Sequence, residues 1–87
     1  MTGEFAPGMV DNPLGGYSAN TRVVKVNSEE GDTTPDGSEG TVLKGLVVDA
    51  ELSIGLPMVV KHVYAVEWDR TPGVIIHTLD YKVAPAE

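Results

Sequence analysis

Residues 41–54 read TVLKGLVVDAELSI, and this stretch decides the fold class. Its second half alternates at a period of two, and the apolar positions on one side are Leu46, Val48, Ala50, Leu52 and Ile54. This alternation is typical of a β-strand with one buried face, and helical spacing fits it worse. A glycine inside a strand commonly marks a bulge, so we expect a long second strand that bends at Gly45.

Segments on either side of this stretch predict four more strands, rich in branched and aromatic residues. They are residues 22–26, 58–68, 74–79 and 82–84. Proline and glycine at 55–57 and 69–73 break the chain between strands. The third strand carries Tyr64 and Trp68 on one face and Val63 and Glu67 on the other, and the pattern leaves open which face is buried. We therefore expect an all-β fold.

Length and composition limit what such a fold contains. With 87 residues, the chain is long enough for one core. Because it has no cysteine, disulfides, thiolate zinc sites and cysteine nucleophiles are excluded. The first residues lack a signal-peptide pattern, and no apolar run is long enough to cross a membrane. We expect a soluble, cytoplasmic protein.

Residues 1–20 differ from the rest, since they contain four glycines and two prolines with little periodicity. We interpret them as a flexible or irregular N-terminal arm. Its apolar residues are Phe5, Met9, Val10, Leu14 and Tyr17. Three hypotheses follow from this composition: the arm docks on its own domain, is disordered, or binds a partner.

Three short motifs in residues 21–85 resemble the SH3-like barrel family. Residues 39–42, EGTV, resemble the glycine-valine entry to the second strand in KOW-type barrels. Residues 64–68, YAVEW, resemble the Tyr-x-Val-x-Trp strand of chromo-like barrels, and residues 79–83, LDYKV, resemble the closing turn and strand. With the strand order and the long first loop, the resemblance implies a small five-stranded SH3-like barrel over residues 21–87.

The departures from this family bear on function. The Ala-Leu-Tyr-Asp-Tyr strand of peptide-binding SH3 domains is missing, so polyproline recognition is not implied. Methyl-lysine readers surround a cation with several aromatic rings. The chain has only five aromatic residues, which argues against a full cage of this kind. KOW-type barrels that contact nucleic acid are usually basic, whereas this chain is acidic.

The charge is concentrated in one loop. Six basic and 13 acidic residues give a net charge of −7. Residues 27–40 contain no large apolar residue and five acids, namely Glu29, Glu30, Asp32, Asp36 and Glu39. We expect a long, solvated loop, because its spacing does not match a calcium-binding loop. Basic residues are scattered singly, so we expect no nucleic-acid partner.

The candidate partner-binding residues are the five acids of this loop and three aromatic residues, Tyr64, Trp68 and Tyr81. Amphipathic aromatic side chains dominate interface energies. Core packing is the alternative, because a small domain depends heavily on each large side chain. The sequence leaves both open.

Catalytic and metal sites have weaker support. His62 and His77 fall on adjacent predicted strands, where they would form a metal pair only if Glu67, Asp69 or Asp80 completed it. Two separate, half-exposed histidines are the alternative that we favour. No nucleophile elbow or phosphate-binding glycine loop is present, so we expect neither catalysis nor a cofactor.

These observations lead to a hypothesis about function. We expect a non-enzymatic protein-interaction module, monomeric or weakly homo-oligomeric, whose acidic loop steers a basic partner. The alternative is a small accessory subunit of a larger enzyme complex that pairs through its strand edges. Nucleic-acid binding is a third and weaker alternative.

Overall fold

Five strands form a single antiparallel sheet in the computed structural model, which describes residues 5–86. The strands are β1 (Arg22–Lys25), β2 (Glu39–Val47), β3 (His62–Trp68), β4 (Ile76–Leu79) and β5 (Val83–Pro85). Short 3-10 helices lie between β2 and β3 (Ala50–Ser53) and between β4 and β5 (Asp80–Lys82). The order across the sheet is β4-β3-β2-β1-β5. The all-β prediction is confirmed. Within residues 5–86, however, the sheet is not closed into a barrel, since β4 and β5 lie at its two edges.

The second strand is shorter than its alternation predicts. It ends at Val47, and residues 50–53 form a 3-10 helix. The Asp49 carboxylate accepts a hydrogen bond from the Glu51 backbone N–H at 2.9 Å. A short polar side chain of this kind offers the backbone a local partner that competes with the ladder. The prediction of strand structure over residues 48–54 was therefore wrong.

The irregularity in β2 lies close to the expected bend. The register shifts between Val42 and Lys44, so Leu43 is the extra residue. Because an extra residue reverses the alternation, Val42 and Gly45 both lie on the side of Tyr64. Gly45 has a different role from the one expected. A Cβ there would lie 2.7 Å from Pro13 Cγ, so the position requires a glycine for close packing.

The core lies on one face of the sheet. Tyr64, Val66 and Trp68 of β3 are buried on this face, and they pack with branched residues of β1, β2 and β5. This cluster consists of Val23, Val42, Tyr64, Val66, Trp68 and Val83. The sequence left open which face of the third strand is buried. In the structure it is the face that carries Tyr64 and Trp68.

The third and fourth strands begin later than expected. β3 begins at His62 rather than at residue 58, and β4 begins at Ile76 rather than at residue 74. Gly55 has a φ of +89°, and Pro57 lacks an N–H for a ladder hydrogen bond. Residues 54–61 therefore lie outside the sheet despite their apolar content.

Residues 5–20 lie against the sheet and pass around the edge of β2. Val10 and Gly45 exchange two backbone hydrogen bonds, of 2.8 and 2.9 Å. Before this bridge, the Ala6 N–H donates to His77 Nε2 on the outer face, at 3.2 Å. After it, the Tyr17 N–H donates to Tyr64 Oη on the core face, at 3.0 Å. Of the three hypotheses for the arm, these contacts correspond to docking on its own domain.

Candidate functional site

The predicted aromatic residues are placed very differently. Trp68 is fully buried at the centre of the core. Tyr64 is also buried, and burial raises the pKa of its phenol, against the effect of the Tyr17 N–H bond. Tyr81, in the 3-10 helix before β5, keeps partial exposure and lines two surface pockets. Of these three residues, Tyr81 is therefore the one best placed to contact a partner.

The acidic loop, now defined as residues 26–38, is folded onto two buried lysines. Asp32 Oδ2 lies 2.7 Å from Lys82 Nζ and 3.4 Å from Lys25 Nζ. Glu29 adds a second contact to Lys82 Nζ at 3.0 Å. The side chain of Lys25 is only 4% exposed, and Ser28 Oγ accepts a further hydrogen bond from it. This loop is thus held by internal ion pairs, which the scattered lysines of the sequence did not suggest.

The ion pairs shift the proton affinities of the groups involved. Hydrogen bonding from Lys82, and then from the Glu29 backbone, lowers the pKa of Asp32 to about 2. The same hydrogen bond with Asp32 raises the pKa of Lys82. A hydrogen bond from the Ser28 N–H, 2.9 Å long, lowers the pKa of Asp36. At neutral pH, these carboxylates are therefore ionised and hydrogen-bonded within the chain.

The two remaining acids of the predicted set, Glu39 and Glu30, differ in their contacts. Glu39 lies 3.4 Å from the Arg22 guanidinium, which also makes a two-pronged contact with Asp69. Hydrogen bonding with Asp69 is the main reason that the pKa of Arg22 is raised. Glu30 has no ion pair or side-chain hydrogen bond within residues 5–86. Most of the predicted acidic surface is therefore already paired.

A pocket of about 450 Å³ gathers all three tyrosines of the chain. Its lining residues are Gly15, Gly16, Tyr17, Val59, Tyr64, Asp80 and Tyr81. The Tyr17 and Tyr64 rings are 5.3 Å apart, centre to centre. A Cβ at Gly16 would lie 2.6 Å from Tyr64 Oη, so only glycine lets the arm approach this closely. We call this the tyrosine pocket.

Asp80 occupies one wall of the tyrosine pocket. Its Oδ2 accepts hydrogen bonds from the backbone N–H groups of Lys61 and His62, at 2.9 and 3.0 Å. Its Oδ1 is buried and has no hydrogen-bond partner among residues 5–86. A buried acceptor without a partner is costly, so the placement of this oxygen works against the stability of the fold.

An apolar segment lies beside this pocket. Of the nine large hydrophobic residues that are exposed in the described chain, four lie within residues 54–59. They are Ile54, which is 88% exposed, and Leu56, Met58 and Val59. Val59 lines the tyrosine pocket, whereas Met58 lines a second pocket of about 300 Å³ together with Tyr81 and Glu29. We call residues 54–59 the apolar segment.

The apolar segment was not among the predicted site residues, because its residues were assigned to strand ends and a chain break. Val59 was likewise not singled out, and Tyr17 was named only as an apolar residue of the arm. Gly55 and Pro57 could have indicated the exposed segment, since they keep the surrounding apolar residues out of a strand ladder. No sequence feature indicated the contact between Tyr17 and Tyr64, because this contact depends on the path of the arm.

The two histidines do not form a site together. His77 pairs with Ala65 across the β3–β4 ladder, whereas His62 shares the core face with Tyr64. His62 Nε2 lies 2.8 Å from the Leu14 carbonyl oxygen, and its ring stacks on Tyr64. Each histidine thus contacts the arm on its own face of the sheet. Within the described residues, no group of three metal-ligating side chains converges.

Comparisons with known proteins identified no relative of the chain. Neither a protein family, nor a curated protein, nor a solved structure matches the chain. No helix within residues 5–86 is long and apolar enough to cross a membrane. The apolar segment and the tyrosine pocket are therefore the features of the fold that bear on function.

Proposed function

We propose that the chain is a non-enzymatic protein-interaction module that binds its partner through the apolar segment. The observation that carries this proposal is the exposure of Ile54, Leu56, Met58 and Val59 within six consecutive residues. These side chains lie outside both the core cluster and the sheet, so the fold gains little from their apolar character. Contiguous exposed apolar surface of this kind marks interaction sites.

The surroundings of the apolar segment indicate the character of the partner. Glu29 borders it at the second pocket, and the exposed Asp49 and Glu51 precede it in the chain. A partner that combines apolar side chains with lysine or arginine complements such a surface. The net charge of −7 favours the encounter over longer distances.

The proposed surface can be tested with a photo-crosslinking residue placed at position 56 of the full chain. We expect it to join the chain to one protein, which the same residue at position 74 does not capture. Position 74 is a suitable control because Val74 is also an exposed apolar residue, on the connection between β3 and β4.

Affinity measurements with the captured protein then decide whether the contact is specific. The double variant Ile54→Ser, Met58→Ser is expected to weaken binding at least about tenfold, since anchoring side chains commonly contribute more than 1 kcal/mol each. Val74→Ser should leave the affinity unchanged. Equal effects of the two variants, or no specific product from position 56, would contradict the proposal.

An accessory subunit of a larger complex is the second candidate. It is favoured by β4 and β5, each of which has a neighbouring strand on one side only within residues 5–86. Such edges pair readily with a strand of another chain. Light scattering on the purified chain separates the two candidates, because a stable monomer argues against an obligate subunit.

The SH3-like barrel is proposed as the finer description of the fold, over residues 21–87 and preceded by the arm. The long connection after β1 and the 3-10 helix before β5 support it. The connection over residues 48–61 departs from the short turn expected after the second strand. A cytoplasmic location is likewise proposed, because the chain has no cysteine.

A further inference from the structure

We infer that the second pocket, between the acidic loop and the apolar segment, takes one arginine side chain of the partner, whose guanidinium donates to the Glu29 carboxylate. This inference rests on the proposed function and names the residue that the partner must present. The pocket has a volume of about 300 Å³, and none of its lining residues is buried. These residues are Asn27, Ser28, Glu29, Pro57, Met58 and Tyr81.

The Glu29 carboxylate is an acceptor that an incoming side chain can reach. The Glu29 side chain is 52% exposed. Its Oε1 lies 3.0 Å from Lys82 Nζ, whereas its Oε2 has no hydrogen bond or ion pair within residues 5–86. The tyrosine pocket differs in this respect, because Oδ1 of its carboxylate, Asp80, is buried. One oxygen of Glu29 therefore anchors the carboxylate, and the other is available to a donor.

The polar wall of the second pocket presents acceptors, and three of its donors are used within the chain. The backbone N–H groups of Ser28 and Glu29 donate to carboxylates of the same loop, at 2.9 and 2.8 Å. Asn27 Nδ2 donates to the Tyr81 carbonyl oxygen at 2.7 Å, which leaves Asn27 Oδ1 without a partner among residues 5–86. Two such acceptors favour a ligand with several N–H groups, and the five donors of a guanidinium meet this requirement.

The charge around the second pocket is negative. The acidic loop contains four acids and no basic residue. The lysines that pair with it are Lys25 and Lys82, so two negative charges remain in excess. Lys82 does not neutralise Glu29 alone, since it is shared with Asp32 at 2.7 Å. The second pocket therefore attracts a cation and repels an acidic side chain.

The remaining lining residues suit the stem of a long basic side chain. Pro57, Met58 and Tyr81 provide apolar and aromatic surface, and Met58 is 53% exposed. A long basic side chain buries its methylene groups on such a surface and keeps its charge at polar groups. A guanidinium also packs against aromatic faces and is more weakly hydrated than an ammonium group, so arginine fits both walls better than lysine.

The inference can be tested on the native chain by NMR titration at neutral pH. The ligands are N-acetyl-arginine methylamide and the corresponding citrulline and lysine compounds. We expect the arginine compound to shift the amide resonances of Glu29, Met58 and Tyr81. The citrulline compound has nearly the same shape but no charge, so it should bind at least about tenfold more weakly. The lysine compound should bind at least about threefold more weakly, because its ammonium group lacks the planar fork.

Two results of this titration would overturn the inference. One is the absence of shifts at the lining residues with the arginine compound. The other is equal affinity for the arginine compound and either of the other two, because charge and planar shape are the properties by which the pocket selects its ligand.

A pair of variants separates the second pocket from general charge. Glu29→Gln keeps an oxygen for Lys82 but removes the negative charge from the pocket. Glu30→Gln makes the same change in net charge at the next position, which does not line the pocket. We expect binding of the arginine compound to fall at least about tenfold in the first variant only. A similar loss in both, or in neither, would contradict the inference.

These experiments remain decisive even if Glu29→Gln fails to fold, since the comparison of the three compounds uses the native chain. They also fail independently of the proposed function. Crosslinking at position 56 tests the apolar segment without the second pocket, which Leu56 does not line. A chain that crosslinks specifically but binds all three compounds equally would keep the proposed function and lose this inference.

Discussion

The acidic loop and the apolar segment reverse the usual relation between polarity and exposure. The acidic loop contains four charged side chains, and two of them hold buried lysines in place. The apolar segment contains four large hydrophobic residues, and all four are exposed. The charged region is thus part of what stabilises the fold, whereas the apolar region is available to a partner.

The contrast shows that the role of a side chain depends on which residues the fold places against it. Lys82 and Asp32 are 50 positions apart in the chain, and their pairing is possible only because β5 returns beside β1. The apolar segment stays exposed instead, since Gly55 and Pro57 keep it out of the sheet that residues 5–86 form. Substitutions in the two regions should therefore have opposite effects on folding and on binding.

The largest effect is expected for Asp32→Asn in the acidic loop. It removes the carboxylate that Lys25 and Lys82 share and leaves Lys82 with Glu29 alone, which should lower the free energy of unfolding by about 2 kcal/mol. We place the effect below the usual range of about 3–5 kcal/mol for a buried pair because Asp32 is itself exposed to solvent, which screens the interaction. Urea denaturation measures it. Glu30→Gln, which removes an unpaired acid from the same loop, should change stability by less than about 0.5 kcal/mol.

Acidification should weaken the same ion pairs to a smaller extent. The pKa of Asp32 is about 2 in the folded chain, below the value of roughly 3.9 for an unfolded aspartate. The folded chain therefore binds fewer protons, so this stabilisation is present above about pH 4 and is lost as the pH falls towards 2. The paired Asp36 and Asp69, whose pKa values are also lowered, act in the same direction.

Denaturation at a series of pH values checks this prediction. The native chain should lose more stability between pH 5 and pH 2.5 than Asp32→Asn loses over the same interval. Parallel curves for the two proteins would show that Asp32 contributes nothing to the pH dependence, and the inward orientation of the acidic loop would then have no energetic importance.

The smallest effect on stability is expected in the apolar segment. Ile54→Ser together with Met58→Ser should change the free energy of unfolding by less than about 0.5 kcal/mol, because Ile54 is 88% exposed and Met58 lies outside the core cluster. Val42→Ala, which removes two methyl groups from the core, should cost about 2 kcal/mol. A large loss from the serine variant would mean that the segment is part of the core after all.

The candidate site was only partly predictable. Tyr81 was named from its residue type, and it is partly exposed in the structure. Trp68 was named for the same reason but is fully buried, because it lies on the face of β3 that forms the core. Tyr17 entered the pocket through the arm, whose path is fixed by the bridge from Val10 to Gly45. No local pattern encodes contacts of this kind.

Local alternation and chain breaks were sufficient to predict some elements from the sequence. These are the five strands and the all-β class. The tertiary structure decided the end of β2, the buried face of β3, the pairing of the acidic loop with Lys25 and Lys82, and the exposure of the apolar segment. The physical reason is range: alternation acts between neighbouring residues, whereas burial and ion pairing depend on residues that only the folded chain brings together.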